Sequence, residues 1–231
     1  MNTMVNSGGN VKTPLHLIVC ATKANGIGQG GKLPWRLKGD MNFFKHVTTL
    51  APQGLKNVVI MGRKTWESIP SKFRPLPDRI NVVVSRRSPK DAEGLGILRS
   101  QDSFLVNSVT SAGQLIRTFQ NVHRVFLIGG AELYKSVLQA GSACDLFWPN
   151  TILLTRILSN HEFESSIDCF FPEIRPSLPG SLPNWSLCNP VDLQEYLSIN
   201  GAASKYNLPD QLQEDDFCYR YELWKNKDHT K

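Results

Sequence analysis

Val125-Phe126-Leu127-Ile128-Gly129-Gly130-Ala131-Glu132-Leu133-Tyr134 changes its period in the middle. Residues 125–128 are apolar and read as a short buried strand. Two glycines follow at once, and residues 131–138 then read as a helix. Strand, glycine turn and helix in direct succession are the unit from which parallel α/β sheets are built. The glycines let the backbone come close to a ligand, and the helix N-terminus behind them offers free N–H groups and a positive dipole end. A pyrophosphate would suit that turn. The plain alternative is a tight turn that needs glycine only for its φ angle, and this segment alone leaves both open.

The same alternation extends in both directions. Residues 15–22 (LHLIVCAT), 57–61 (NVVIM), 79–85 (RINVVVS) and 152–158 read as strands. Residues 38–50 and 108–119 read as helices, the latter with Val109, Ala112, Leu115, Ile116 and Phe119 on one face. Residues 217–225 (FCYRYELWK) alternate apolar and polar and read as a terminal, antiparallel strand. The expected fold is α/β: a central, mostly parallel twisted sheet with an antiparallel C-terminal strand and helices on both faces. Residues 1–14 are polar and read as a flexible N-terminal segment, and 15–231 as a single domain. Residues 173–216 break the rhythm with five prolines (Pro176, Pro179, Pro183, Pro190, Pro209) and read as a long insertion, with a strand near Trp185.

The 231 residues are 41% hydrophobic and 20% charged, which fits one globular domain and excludes a wholly disordered chain. No apolar run approaches the ~18 residues of a membrane span, and no signal peptide is visible, so a cytoplasmic location is expected. Five widely spaced cysteines without a C-x-x-C, and histidines without ligand spacing, argue against a disulfide framework and against a metal site. Net charge is unevenly spread: 20 Lys/Arg against 11 Asp/Glu over 1–172, but 2 against 7 over 173–216. A basic body attracts nucleic acid or a small polyanion. The acidic insertion, and the lack of aromatic platforms interleaved with cations, count against nucleic acid.

Four further features bear on chemistry. Gly26-Ile27-Gly28-Gln29-Gly30-Gly31 spells G-x-G-x-x-G after a strand, but Lys32-Leu33-Pro34-Trp35 follows it rather than a helix, so a dinucleotide-binding turn is not indicated. Arg63 and Lys64 follow the second strand, where the dinucleotide fingerprint wants an acid. They are either surface charges or partners for a ribose phosphate, which would select NADP over NAD. Asp40 shares a helix face with Phe44 and Val47, with Phe43 alongside. It is either a first-turn acid favoured by the dipole or a carboxylate aimed at amidine-like N–H donors. Arg79 opens a strand and is either a surface residue or a carboxylate clamp. No P-loop and no nucleophile elbow occurs.

The ordered set of Ile18-Val19, Gly26-Ile27-Gly28, Leu33-Pro34-Trp35, Asp40, Phe44, the run from Met61 to Pro70 (MGRKTWESIP), Arg74-Pro75-Leu76, Arg79-Ile80-Asn81, Ile128-Gly129-Gly130, Tyr134 and Leu154-Thr155-Arg156-Ile157 closely resembles dihydrofolate reductase, in particular its eukaryotic, fungal-type members. The resemblance runs from about residue 15 to the C-terminus. It implies NADPH-dependent reduction of dihydrofolate to tetrahydrofolate, with a hydride to C6 and a proton to N5, in one-carbon metabolism. Asp40 would hold the pterin as the only ionisable group in its pocket, with Trp35 ordering a water and Leu33 beside it as the catalytic set. Ile18, Val19, Phe43, Phe44, Ile69, Pro70, Leu76, Ile128 and Tyr134 would line the substrate, Arg79 would take the glutamate carboxylate, and Thr155 would steady Asp40. Cys20, Gly26, Ile27, Gly28, Gly30, Gly31 and Lys32 would meet the cofactor from the strand end and a mobile loop. Gly62, Arg63, Lys64, Thr65, Ser68, Ser85, Arg86 and Arg87 would take the adenosine end and its 2′-phosphate. Ile128, Gly129, Gly130, Ala131, Glu132, Leu133 and Tyr134 would cradle the pyrophosphate, with a cis peptide between the glycines. The resemblance also implies antifolates as inhibitors and a monomer without membrane or nucleic-acid partners. A pyrimidine reductase of the same fold and a non-catalytic NADPH binder are the rival functions. The chain leaves no room for a fused thymidylate synthase.

Overall fold

The computed structural model describes residues 4–5, 11–87, 92–97, 102–141, 146–198 and 208–227. In chain order these form β1 (Met4–Val5), β2 (Val11–Ala21), β3 (Gly26–Gly28), α1 (Lys38–Thr49), β4 (Lys56–Gly62), α2 (Arg63–Ser68), β5 (Arg79–Val84), β6 (Ser103–Val106), α3 (Val109–Ile116), β7 (Val122–Leu127), α4 (Ala131–Ala140), β8 (Phe147–Ile157), β9 (Cys169–Phe170), β10 (Trp185–Leu187), α5 (Pro190–Tyr196), β11 (Leu212–Glu214) and β12 (Phe217–Asn226).

One sheet runs in the order β10-β12-β8-β2-β7-β4-β5-β6. From β8 to β6 every pairing is parallel, and β12 closes the other side antiparallel against β8. The continuous apolar runs require cover on both faces. On one face α3 and α4 bury Ala112, Ile116, Val137 and Leu138 against Leu15, Leu17, Val58, Ile60 and Val82. On the other, α1, α2 and α5 bury Phe43, Val47, Trp66, Leu193 and Leu197 against Ile18, Val59, Met61, Val83 and Leu223. Phe43 and Val47 are 2% and 0% exposed, and each such side chain contributes about 1.5–3 kcal/mol that keeps α1 on the sheet.

The expected architecture is present, and its edges differ in instructive ways. β2 begins at Val11, so residues 11–14 extend a strand of the sheet that was expected to start at residue 15. β8 begins at Phe147, five residues early, because Pro149 reads as a strand breaker. The sheet absorbs it in a register shift between Leu15 and His16, opposite Pro149 and Thr151. The insertion holds more order than a loop. Besides β10 at Trp185 it forms β11 and α5, and Asn189 caps α5 reciprocally with Asp192 around Pro190 at the first helical position.

Candidate active site

The C-terminal ends of β2 and β8 lie side by side, with Cys20 opposite Thr155. Over them lies the first turn of α1, which carries Asp40. No Ser, Thr, Asp or Asn precedes this helix; Leu37 occupies its cap position without a side-chain bond. Glu214 of β11 supplies the cap instead, accepting from Lys38 N at 2.5 Å and Gly39 N at 2.8 Å. A Cβ on Gly39 would lie 2.3 Å from the Tyr219 hydroxyl, so only glycine lets the helix end come this close to β12.

Asp40 is buried, and the Thr155 hydroxyl donates to its Oδ1 at 2.6 Å. Burial pushes the Asp40 carboxyl up to about 6, while the hydrogen bonds of Thr155 and Cys20 pull it back and the charge of Glu214 pushes it further up. Cys20 is thus a second ionisable group at Asp40, contrary to the expectation of a single one. Burial foremost, and then Asp40 itself, raise its thiol well above the usual range, so it stays protonated. Trp35 packs beside this pair with Leu37, Ile157 and Tyr219, and its indole N–H is directed at the Cys20 thiol, which offsets part of the rise.

Along the same face, Arg79 is 3% exposed. Its Nη1 donates to Thr48 Oγ1 at 2.7 Å, its Nε to Pro77 O at 2.9 Å, and its guanidinium lies 5.9 Å from the Phe44 ring centre. Burial lowers Arg79 to about 10, still fully charged at neutral pH. Ile69, Leu76, Ile128 and Phe44 are partly buried around the same core. Phe43 is not placed with them: it stacks on Tyr221 at 3.9 Å between ring centres and serves the core. Leu33 is half exposed, Pro70 is exposed, and Val19 faces the opposite core.

The parallel strands β4, β5 and β7 end together at one sheet edge, in the position where α/β folds bind ligands. There Gly62 N donates to Gly129 O at 2.8 Å, which brings the two strand–glycine–helix turns into contact. The Gly129–Gly130 peptide is cis. Gly129 has φ of +130°, and a Cβ on it would lie 3.0 Å from Thr65 Oγ1. Gly130 opens α4 without a side-chain cap, leaving the amide end of the helix clear. Arg63, Lys64, Ser68, Arg86 and Arg87 gather at this edge, half-buried or exposed. Arg63 is paired with Glu67 at 2.5 Å, and buried Ser85 accepts from Arg87 N, so these two are partly engaged. The donor chemistry and the open glycine cradle fit a nicotinamide dinucleotide. Tyr134 is buried, and its hydroxyl donates to Ile18 O at 2.7 Å, linking α4 to the substrate-side strand.

The glycine-rich segment is a hairpin. Gly26–Gly28 pairs with Cys169–Phe170, Gln29 bridges Lys32, and Gly30 and Gly31 take φ of +55° and +77°. Asp168 accepts from Gly30 N at 2.9 Å. No helix follows, which settles the G-x-G-x-x-G question against a dinucleotide turn.

A family profile described as dihydrofolate reductase matches residues 14–178. The chain is 37% identical over 218 residues to the dihydrofolate reductase of Candida albicans, covering 94% of this chain and 99% of that one. It is 37% identical over 227 residues to that of Cryptococcus neoformans, covering 90% and 92%. The solved dihydrofolate reductase of Schistosoma mansoni superposes with a TM-score of 0.64 at 32% identity, over 93% of this chain and 99% of that one.

The chain belongs to the dihydrofolate reductase family.

Asp40, Thr155 and Trp35, which the sequence grouped, lie together; Cys20, expected at the cofactor, lies against Asp40, and the contact between the two glycine turns was not expected. The sequence also missed Glu214. That residue lies in the segment read as an insertion, yet it caps the helix that carries Asp40. The one available signal was negative: a dihydrofolate reductase helix beginning Leu37-Lys38-Gly39 has no cap of its own.

Proposed function

We propose that this chain is a dihydrofolate reductase that uses NADPH to reduce dihydrofolate to tetrahydrofolate. The observation that carries the proposal is Asp40: a buried carboxyl at about 6 in the first turn of α1, fixed by Thr155, with the buried, charged Arg79 of β5 bonded to Thr48 in the last turn of the same helix. A pteridine edge presents a ring N–H and an amino group to such a carboxylate, and two parallel hydrogen bonds would hold it. Arg79 keeps Nη2 outside its bonds to Thr48 and Pro77, and would use it on the glutamate carboxylate of the substrate. When bound, NADPH supplies the hydride that passes from its C4 to C6 of the substrate. The chain's own residues then do three things. Gly129, Gly130 and the start of α4 receive the pyrophosphate, and Lys64 and Arg86 the 2′-phosphate. The Gly26–Gly28 hairpin shields the transfer from water. Asp40 keeps a proton available near neutral pH for delivery to N5, through a water beside the Trp35 indole.

The test is the loss of NADPH absorbance on adding dihydrofolate, repeated with NADH. Rapid loss with NADPH and little with NADH is expected. A folded protein that binds NADPH but does not oxidise it with dihydrofolate would overturn the assignment.

A further inference from the structure

Successive residues of a strand face opposite sides, so where Thr155 turns to Asp40, Arg156 turns away from it. Arg156 is 4% exposed. Its Nη1 donates to Thr22 O at 2.6 Å and to Asn25 Oδ1 at 2.7 Å, and its Nε lies 4.0 Å from Glu222 Oε2. Its Nη2 is buried and finds no hydrogen-bond partner among the described residues. Arg156 walls a cavity of about 330 Å³ together with Lys23, Arg175, Arg220, Glu222 and Trp224. That volume lies in the range of small-molecule sites, roughly 300–1,000 Å³.

The charges around the cavity do not balance. Four cations face it. Glu222 is consumed by Arg220, whose Nε and Nη2 donate to Oε1 at 2.8 and 2.7 Å, and by Trp224 Nε1, which donates to Oε2 at 2.9 Å. Glu173 is consumed by Arg175 Nε at 2.8 Å and Asn25 Nδ2 at 2.9 Å. Among the described residues Lys23 meets the neutral Asn160 Oδ1, at 3.1 Å. Among the described residues, two carboxylates against four cations leave an excess of about two positive charges, one of them on the buried Arg156.

We propose that this cavity is a binding site for a phosphate-type dianion, held by Lys23 and Arg220 in the field of the buried Arg156 charge and separate from both the Asp40 pocket and the glycine turns. A tetrahedral oxyanion offers several acceptors in the geometry that guanidinium forks match, whereas chloride offers one centre. Occupancy acts on the loop. Arg156 is already bonded to Thr22 and Asn25, and that turn leads directly into the Gly26–Gly28 hairpin. An anion whose charge steadies Arg156 therefore steadies the root of the segment proposed to cover the reaction.

The experiment is a calorimetric titration with inorganic phosphate, and separately with glycerol phosphate, at ionic strength held constant with chloride. Two double variants are compared with the wild type. Lys23→Gln with Arg220→Gln removes the two cavity cations that are not buried; the amide introduced by Arg220→Gln can still donate to the buried Glu222, and a urea unfolding curve of the variant checks that the fold is kept. Arg63→Gln with Lys64→Gln removes cations at the glycine turns. The first pair is expected to weaken phosphate binding at least tenfold, the worth of a charge-assisted hydrogen bond, and the second to leave it within about twofold. The side-chain nitrogen resonances of Arg156 should move on phosphate addition in the wild type. A preference for glycerol phosphate would place an organic group in the remaining volume; equal affinity would assign the site to the phosphate alone. The proposal is overturned if neither probe binds above the chloride background, or if the loss follows the second pair instead of the first.

Discussion

Replacing Asp40 by Asn should remove turnover and, at the same time, stabilise the fold as pH rises. The carboxyl titrates at about 6 in the folded protein, against an unperturbed 3.8. Between those values the folded chain holds a proton that the unfolded chain has released. Unfolding stability therefore falls as pH rises through that window and levels off above about 6, where a buried carboxylate has been created. From near pH 4.5 to near pH 8 the wild type crosses about one and a half units of this window at about 1.4 kcal/mol each, a loss of about 2 kcal/mol. Asn has no such titration. Any constant cost of fitting its amide beside Thr155 cancels when the two pH values are compared. Urea unfolding of both proteins at both pH values gives the number directly. The difference between Asp40→Asn and wild type should move in favour of the variant by about 2 kcal/mol on going to the higher pH. A difference that stays constant would refute the argument that Asp40 is held as a desolvated acid.

Four other variants separate the remaining roles. Thr155→Val removes the hydrogen bond that pulls Asp40 down, so the pH midpoint of activity should move above about 6 in a pH–rate profile. Glu214→Gln should move that midpoint down, because the charge of Glu214 raises Asp40; with the cap of α1 weakened, it should also lower stability by about 1 kcal/mol in denaturant unfolding. Arg79→Gln should raise KM for dihydrofolate about tenfold or more with little change in kcat, and a folate analogue without the glutamate should bind both proteins alike. Lys64→Gln with Arg86→Gln should shrink the preference for NADPH over NADH by about tenfold, measured as the ratio of kcat/KM values.

The parallel body was legible because its strands are buried on both faces and therefore read as unbroken apolar runs, as in residues 57–61 and 125–128. The placement of Asp40 was legible from helical period alone. Its role was not legible from the period, since a first-turn acid and a ligand-binding acid share one pattern; its burial with Thr155 as partner is visible only in the fold. Phe43 shows the same limit from the other side: it neighbours Phe44 in sequence, but Tyr221, 178 positions away, takes its face for the core. Where local rules failed, a distant contact had overridden them. Pro149 stays in a strand because the sheet bulges around it, and α1 starts without a cap residue because β11 brings Glu214. The helix α5 was locally encoded by Asn189-Pro190-Val191-Asp192, but the density of prolines around it read as loop.

The most direct test of the role given to Asp40 is the turnover of wild type and Asp40→Asn with dihydrofolate and NADPH, followed across pH. The account predicts that wild-type kcat/KM falls as pH rises above about 6, and that the variant loses most turnover at pH 7 while keeping NADPH binding and showing no such fall. Wild-type-like turnover by Asp40→Asn at pH 7 would contradict it.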